Sequence, residues 1–292
     1  MNNKNGKSAL IVEGGGMRSI FAAGVLNAFG NAGFDPFDVY IGVSAGACHL
    51  ASHLAGQNDR NFDITLRYSI TSEFINPWRF LKGGHLMDLD WMWEQTISNY
   101  RLDLTYLFKK LRSQKKEYII VATSMETGQA LYLKPDENTL ENDLKISSSM
   151  PVFYRKSLDV GGEKATDGGI ADSIPVQEAC LRGATDITVI RSRPIGYVKK
   201  HSHLAAVIFS LYFRKYPQLV EKFRKRAENY NASIDFIHNP PGGMRITQIA
   251  PPDNVVLGRT TKNEAFLRAA YEIGIAYGDR FMKTFNQAGN NK

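Results

Sequence analysis

At 292 residues the chain is long enough to bury one large core, and 43% apolar against 22% charged residues excludes a disordered or low-complexity protein. Its two cysteines, Cys48 and Cys180, fit neither a disulfide framework nor a zinc or redox spacing and are expected as reduced core residues. A formal net charge of +7 favours an anionic substrate or an acidic lipid surface; no nucleic-acid motif accompanies it, so no nucleic-acid partner is expected.

Met1 to Lys7 is polar and lacks the apolar stretch of a signal peptide, which points to a cytoplasmic protein. Ser8-Ala9-Leu10-Ile11-Val12-Glu13 reads as a buried strand running into Gly14-Gly15-Gly16-Met17-Arg18-Ser19. Ile20, Phe21, Gly24, Val25, Ala28 and Phe29 then recur at helical spacing. Three consecutive glycines leave backbone N–H groups bare enough to converge on an anion. A nucleotide phosphate loop is one reading of this segment, but no Lys-Ser/Thr pair follows, and Ser19 stands where a dinucleotide loop needs Gly or Ala. The other reading is an oxyanion hole.

A second strand–loop–helix unit follows. Asp38-Val39-Tyr40-Ile41 leads into Gly42-Val43-Ser44-Ala45-Gly46, and small residues to Ala51 continue as a helix. This is the layout of a nucleophile elbow, in which glycines at both ends admit the strained turn that lifts a serine above the sheet. His49 and His53, further along that helix, read as packing or solvent-facing residues.

Residues 74–108 are rich in aromatics around Lys82-Gly83-Gly84, consistent with either a lid over an acyl pocket or a helical insertion with an ordinary core. Tyr118 to Ser124 is a strand covered on both faces, with Gln129 to Leu133 as its hairpin partner. Lys156 to Val160 and Glu163 to Thr166, joined by Gly161-Gly162, form another hairpin, which ends on Asp167-Gly168-Gly169. Val176 to Arg182 suggests a short helix and Asp186 to Arg191 a strand. Leu204 to Phe213 is apolar but too short to span a bilayer. Pro217 to Tyr230 reads as one amphipathic helix, with Leu219, Val220, Phe223, Ala227 and Tyr230 inside and Lys222, Arg224, Lys225 and Arg226 outside. Such a helix either packs on its own domain or lies on an anionic membrane. Thr261 to Glu264 resembles a capping box, and the helix behind it carries Leu267, Ala270, Tyr271, Gly274 and Gly278 on one face. No repeat or linker divides the chain, so residues 1–292 are expected to be one domain: core motifs in 8–195, and 196–292 as a helical and strand extension packed on them.

The glycine loop at 14–19, the elbow at 42–46 and Asp167-Gly168-Gly169 together resemble the patatin-like phospholipase family in order and spacing. Ile146-Ser147-Ser148-Ser149-Met150-Pro151 and Ser173-Ile174-Pro175-Val176 fit the same pattern. The resemblance covers roughly residues 8–195; Ser19 departs from the usual Gly and Ser173 from the usual Asn. It implies an α/β fold, a three-layer α/β/α arrangement with a mainly parallel central sheet. It also implies a Ser–Asp dyad without histidine: Ser44 as nucleophile, Asp167 as base, and an oxyanion hole from the N–H groups of Gly14, Gly15, Gly16 and Ala45. Arg18, Gly42, Gly46, Gly168 and Gly169 would support these groups. A lipid or ester substrate is implied, with no cofactor and no metal.

Two rival readings remain. In an α/β-hydrolase, Ser44 and Asp167 would be completed by a later histidine such as His201, His203 or His238, although Ser44 follows only the second strand, earlier than that fold's elbow. In a non-catalytic phosphate- or nucleotide-binding protein, the Gly14–Gly16 loop would bind an anion and Ser44 would be unreactive.

Overall fold

The computed structural model describes residues 6–290, with side chains as far as residue 287. Eight strands form one sheet: β1 (Lys7–Val12), β2 (Val39–Val43), β3 (Glu117–Ser124), β4 (Ala130–Leu133), β5 (Leu158–Val160), β6 (Glu163–Asp167), β7 (Ala184–Ile190) and β8 (Arg245–Ile249). The order is β5-β6-β3-β2-β1-β7-β8, with β4 also paired to β3. The five strands from β3 to β8 along that path are parallel, while β4, β5 and β6 are antiparallel additions at one end. The chain runs from β1 outward to β3 and later returns to the other side of β1 as β7. That reversal opens a crevice at the carboxyl ends of the central strands, where open α/β sheets bind ligands.

The central strands β1, β2 and β3 are buried along nearly their whole length, and successive residues face opposite layers as the pleat requires. Leu10, Val12, Tyr40, Tyr118 and Ile120 pack into one layer with helices Ile20–Asn31, Ala45–Leu54 and Leu104–Ser113. Ala9, Ile11, Val39, Ile41, Ile119 and Val121 pack into the other with helices Val176–Leu181 and Arg226–His238. The result is the three-layer α/β/α arrangement with a mainly parallel sheet. The C-terminal helix Glu264–Asn290 lies along Ile20–Asn31 at very close range. A Cβ on Gly24 would stand 2.1 Å from the Tyr271 carbonyl oxygen, and one on Gly274 2.2 Å from that of Phe21. Glycine on both helices is therefore what allows the backbones to approach.

Several expectations need correction. The amphipathic segment at 217–230 is two helices, Pro217–Arg224 and Arg226–His238, with a break at Lys225. The capping box does not form, because the Thr261 hydroxyl oxygen accepts from the Gly258 N–H inside the preceding loop. Asn263 caps the last helix instead, its Oδ1 accepting from the Phe266 N–H at 3.0 Å. Both cysteines are free thiols, half-buried rather than sealed in the core. Leu204 to Phe213 is largely the helix His203–Tyr212. Among the described residues no helix is long and apolar enough to cross a membrane. The polar segment Met1 to Asn5 lies outside the described residues.

Candidate active site

The glycine loop leaves β1 at the centre of the sheet and packs directly on the elbow after β2. A Cβ on Gly14 would lie 2.6 Å from the Val43 carbonyl oxygen and 2.9 Å from Ser44 Cβ. Glu13 anchors the loop from beneath: its carboxylate accepts from the Ser192 N–H and the Tyr230 hydroxyl and pairs with Arg191, which is fully buried. Beyond the glycines the Met17 N–H donates to the Arg259 carbonyl oxygen at 3.1 Å. Among the described residues nothing accepts a hydrogen bond from the N–H of Gly14, Gly15 or Gly16. Ser19 closes this turn: its hydroxyl donates to the Gly16 carbonyl oxygen at 2.6 Å and meets His49 Nε2 at 2.9 Å. Since the hydroxyl has one proton, His49 Nε2 is the donor in the second contact.

Ser44 has φ 55° and ψ −130°, a conformation rarely held by a residue with a side chain. Its N–H donates to Ser147 Oγ at 2.8 Å, and that hydroxyl donates to the Val121 carbonyl oxygen at 2.6 Å. Ser147, from the serine-rich stretch, thereby ties the elbow to β3. The elbow glycines are sterically required: a Cβ on Gly42 would lie 2.4 Å from Ala47 Cα, and one on Gly46 2.4 Å from the Val12 carbonyl oxygen. Ala45 opens the following helix, so its N–H has no helical partner.

Asp167 ends β6 and is buried. Its Oδ1 accepts from the Gly169 N–H at 2.7 Å, while Thr123 Oγ1 donates to its carbonyl oxygen at 2.8 Å. Burial pushes the Asp167 carboxyl above the usual carboxylate range, against the pull of Arg226, Arg259, the Gly169 N–H and the Ser44 hydroxyl. Gly168 passes so close to β3 that a Cβ would meet the Val121 carbonyl oxygen at 2.1 Å. The Gly169 carbonyl oxygen accepts from Ser173 Oγ at 2.9 Å and from Arg226 Nε.

Ser44 lies between two cavities of opposite character. One, of about 760 Å³, is lined by the Gly14–Gly16 loop, Ser44, Asp167 and a group of cations. The other, of about 160 Å³, is bounded by Ser44 and Ala45 and by Ile64, Phe74, Leu89, Met92, Trp93 and Leu144. The aromatic segment thus contributes both core and the wall of an apolar pocket, while Trp78 and Tyr106 stay exposed.

Every sequence-predicted site residue falls on this crevice or on the turns that frame it. The sequence reading misplaced Arg226 and missed Arg193, Lys199 and Arg259. Arg226 turns into the larger cavity beside Asp167, because the break at Lys225 redirects the second helix. Arg18 also lines that cavity, buried, with its Nε unpartnered and its pKa pushed down to about 10 by burial and by Arg259 and Arg193. Among the described residues no histidine hydrogen-bonds to Ser44 or Asp167. Burial pushes His49 and His53 down to about 4, His85 accepts from the Arg155 N–H, and His201 pairs with Glu228.

A family model described as patatin-like phospholipase matches residues 10–180, and a second, for a domain of unknown function, matches 216–289. The chain is 35% identical over 282 residues to the uncharacterized protein YjjU of Escherichia coli (strain K12), covering 96% of this chain and 78% of that one. It is 23% identical over 298 residues to lysophospholipase NTE1 of Kluyveromyces lactis, with 94% of this chain set against 19% of that protein. Among solved structures, VipD from Legionella pneumophila aligns with 95% of this chain and 67% of its own at 13% identity, with a TM-score of 0.43.

Proposed function

Since the chain belongs to the patatin-like phospholipase family, and with it to the lipid acyl hydrolases in general, we propose that it cleaves carboxylic ester bonds of lipids with a Ser44–Asp167 dyad. The observation that carries this reading is the convergence in one crevice of a strained serine, a buried carboxylate and backbone N–H groups without partners. Ser44 Oγ attacks the ester carbonyl as its proton passes to Asp167 Oδ2, the carboxylate oxygen not held by Gly169. Desolvation makes that carboxylate a stronger base than one in water. The oxyanion is held by N–H groups of Gly14, Gly15, Gly16 and Ala45. Collapse breaks the ester C–O bond, and the leaving alcohol takes the proton from Asp167. Water then attacks the acyl-enzyme, giving a proton to Asp167, which passes it to Ser44 Oγ as the acyl–Oγ bond breaks and the fatty acid leaves. The apolar cavity suits the acyl chain. Since Arg226 and Arg259 come from the region after residue 195 and line the same crevice, the whole described chain acts as one catalytic unit.

The loop assignment is tested by Gly15→Val. A Cβ at Gly15 would stand 2.9 Å from Ser192 Cβ and Oγ, so a larger side chain must displace the loop or Ser192. Loss of a donor typically costs about 10²–10³-fold in kcat. That drop is expected with Gly15→Val, with Gly15→Ala intermediate and melting temperature monitored for both. Unchanged turnover removes the loop from the mechanism.

Peripheral contact with an anionic membrane belongs to the same reading, but on a different surface from the expected one. Arg226 faces inward, while helix His203–Tyr212 exposes Leu204, Val207, Leu211 and Tyr212 beside the cavity mouth. Exposed Arg214 and Lys215 follow it, and Arg155 lies between the rings of Phe80 and Tyr212, bringing exposed Trp78 and Leu81 to the same side. Leu204→Asp/Leu211→Asp is expected to reduce cosedimentation with phosphatidylglycerol vesicles at least about tenfold, and salt to weaken binding of the parent. Equal sedimentation of parent and variant sinks this surface.

A further inference from the structure

The larger cavity holds more positive charge than its own carboxylates answer. Arg193, Lys199, Arg226 and Arg259 line it together with Arg18, and none has a carboxylate within ion-pair distance among the described residues. Glu13, the nearest buried acid on that side, is already engaged by Arg191, Tyr230 and the Ser192 N–H. Glu221 pairs with Lys225, and Glu228 faces His201. Asp167 alone is left to balance the group, and it lies at the Ser44 end.

The cations act on one another. Arg259 and Arg18 hold Arg226 down, and Arg226, Arg259 and Arg18 hold Lys199 down, although burial is the larger cause for both. Unpaired like charges gathered in a half-desolvated cavity cost stability unless an anion arrives. The buried Arg18 Nε without any acceptor points to the same missing partner.

We propose that Arg193, Lys199, Arg226 and Arg259 form a subsite for a doubly charged phosphate monoester, so that the acyl ester presented to Ser44 carries a terminal phosphate rather than a choline or an uncharged glycerol head. The proposal rests on the reading of Ser44 as nucleophile and adds the head-group class to it. Guanidinium groups grip phosphate oxygens in pairs, and a dianion offers enough acceptors for several of them. A trimethylammonium group would meet the guanidinium groups of Arg193, Arg226 and Arg259. Lys199 lies over the Tyr230 ring, and burial first, then the charges of Arg226 and Arg259, hold its pKa down. A phosphate dianion bound among these groups favours the charged form of Lys199. The two cavities divide the work: acyl chain in the apolar one, phosphate in the basic one, ester carbonyl between them at Ser44.

The test has a catalytic arm and a binding arm. In the first, fatty-acid release is measured from octanoyl lysophosphatidate, octanoyl lysophosphatidylcholine and monooctanoylglycerol. The enzymes are the parent, Arg193→Gln and Lys199→Gln. The parent is expected to favour lysophosphatidate in kcat/KM by more than tenfold, and each variant to lose about tenfold of that ratio, the size of one charge-assisted hydrogen bond. Neither variant should melt lower than the parent, because Arg193→Gln relieves repulsion on Arg18 and Lys199→Gln removes the cost of burying an amine; a merely structural role would lower the melting temperature. In the second arm, octyl phosphate and inorganic phosphate are titrated calorimetrically into Ser44→Ala with and without Lys199→Gln. Tighter binding of octyl phosphate that weakens with Lys199→Gln supports the subsite. Equal kcat/KM for all three esters overturns it while leaving the nucleophile in place. No turnover of any ester, together with octyl phosphate binding that needs Lys199, overturns the nucleophile and keeps the anion subsite. Inorganic phosphate binding as tightly as octyl phosphate overturns the lipid assignment.

Discussion

Asp167→Asn is expected to abolish ester hydrolysis and to leave a folded chain that melts higher than the parent at neutral pH. The amide cannot accept the Ser44 proton, so kcat should fall by about three orders of magnitude or more, as when a base is removed from a coupled catalytic unit. Its oxygen can still accept from the Gly169 N–H, so the turn at the end of β6 keeps its anchor. The stability gain follows from the ionisation of the buried acid. Burial raises the folded-state pKa of Asp167 above its unfolded value, so its contribution to stability is fully present below the unfolded pKa and is lost as pH rises through the folded one. At pH 7 the parent therefore carries the cost of a buried charge, which Arg226 and Arg259 only partly offset, and the variant does not. The gap in melting temperature should be small near pH 4 and widen towards pH 7. The acid limb of the parent's kcat/KM profile should lie above the ordinary carboxylate range, since the protonated form cannot act as base.

The same experiment separates dyad from triad. His49, His53, His85, His201, His203 and His238 are changed singly to Gln and assayed on a soluble ester. All six are expected to retain turnover when corrected for folded protein. One folded His→Gln variant as inactive as Ser44→Ala would overturn the dyad and restore the α/β-hydrolase mechanism.

Ser44 is expected to form a one-to-one adduct with a fluorophosphonate. Attack by Oγ on phosphorus expels fluoride, and the phosphoryl oxygen occupies the place of the ester oxyanion. Intact-protein mass spectrometry should show the full mass increase in the parent and none in Ser44→Ala, whose turnover should fall by about 10⁶-fold if the serine is the nucleophile. The elbow's φ of 55° adds a stability signature: Ser44→Gly should be more stable than Ser44→Ala by about 1 kcal/mol, because only glycine holds such torsions without strain. Labelling that persists without Ser44 removes the assignment, and a parent that takes no label favours a non-catalytic anion-binding protein.

The local features of the crevice were legible in the amino-acid order because each is decided within a few residues. The strand, the glycine-flanked serine and the helix are contiguous in sequence, and the torsions at Ser44 and the contacts of Gly42 and Gly46 are set mostly within that run and by the neighbouring β1. The burial of β1, β2 and β3 on both faces likewise follows from their near-continuous apolar runs. The same holds for the hairpin that ends on Asp167, which Gly161 and Gly162 turn. What only the tertiary structure decided is which charges look inward. Arg226 sits in a run of cations that reads as one solvated face, and a break at the neighbouring Lys225 is enough to send it to Gly169 instead. Arg193 and Lys199, Arg226, and Arg259 come from three segments far apart in the chain and meet only because the loop after β7, the second helix of the broken pair and the turn before the last helix close on the same crevice. Periodicity reports a residue's face relative to its own element; it carries no information on where that element docks, and the electrostatics of this cavity are made entirely by docking.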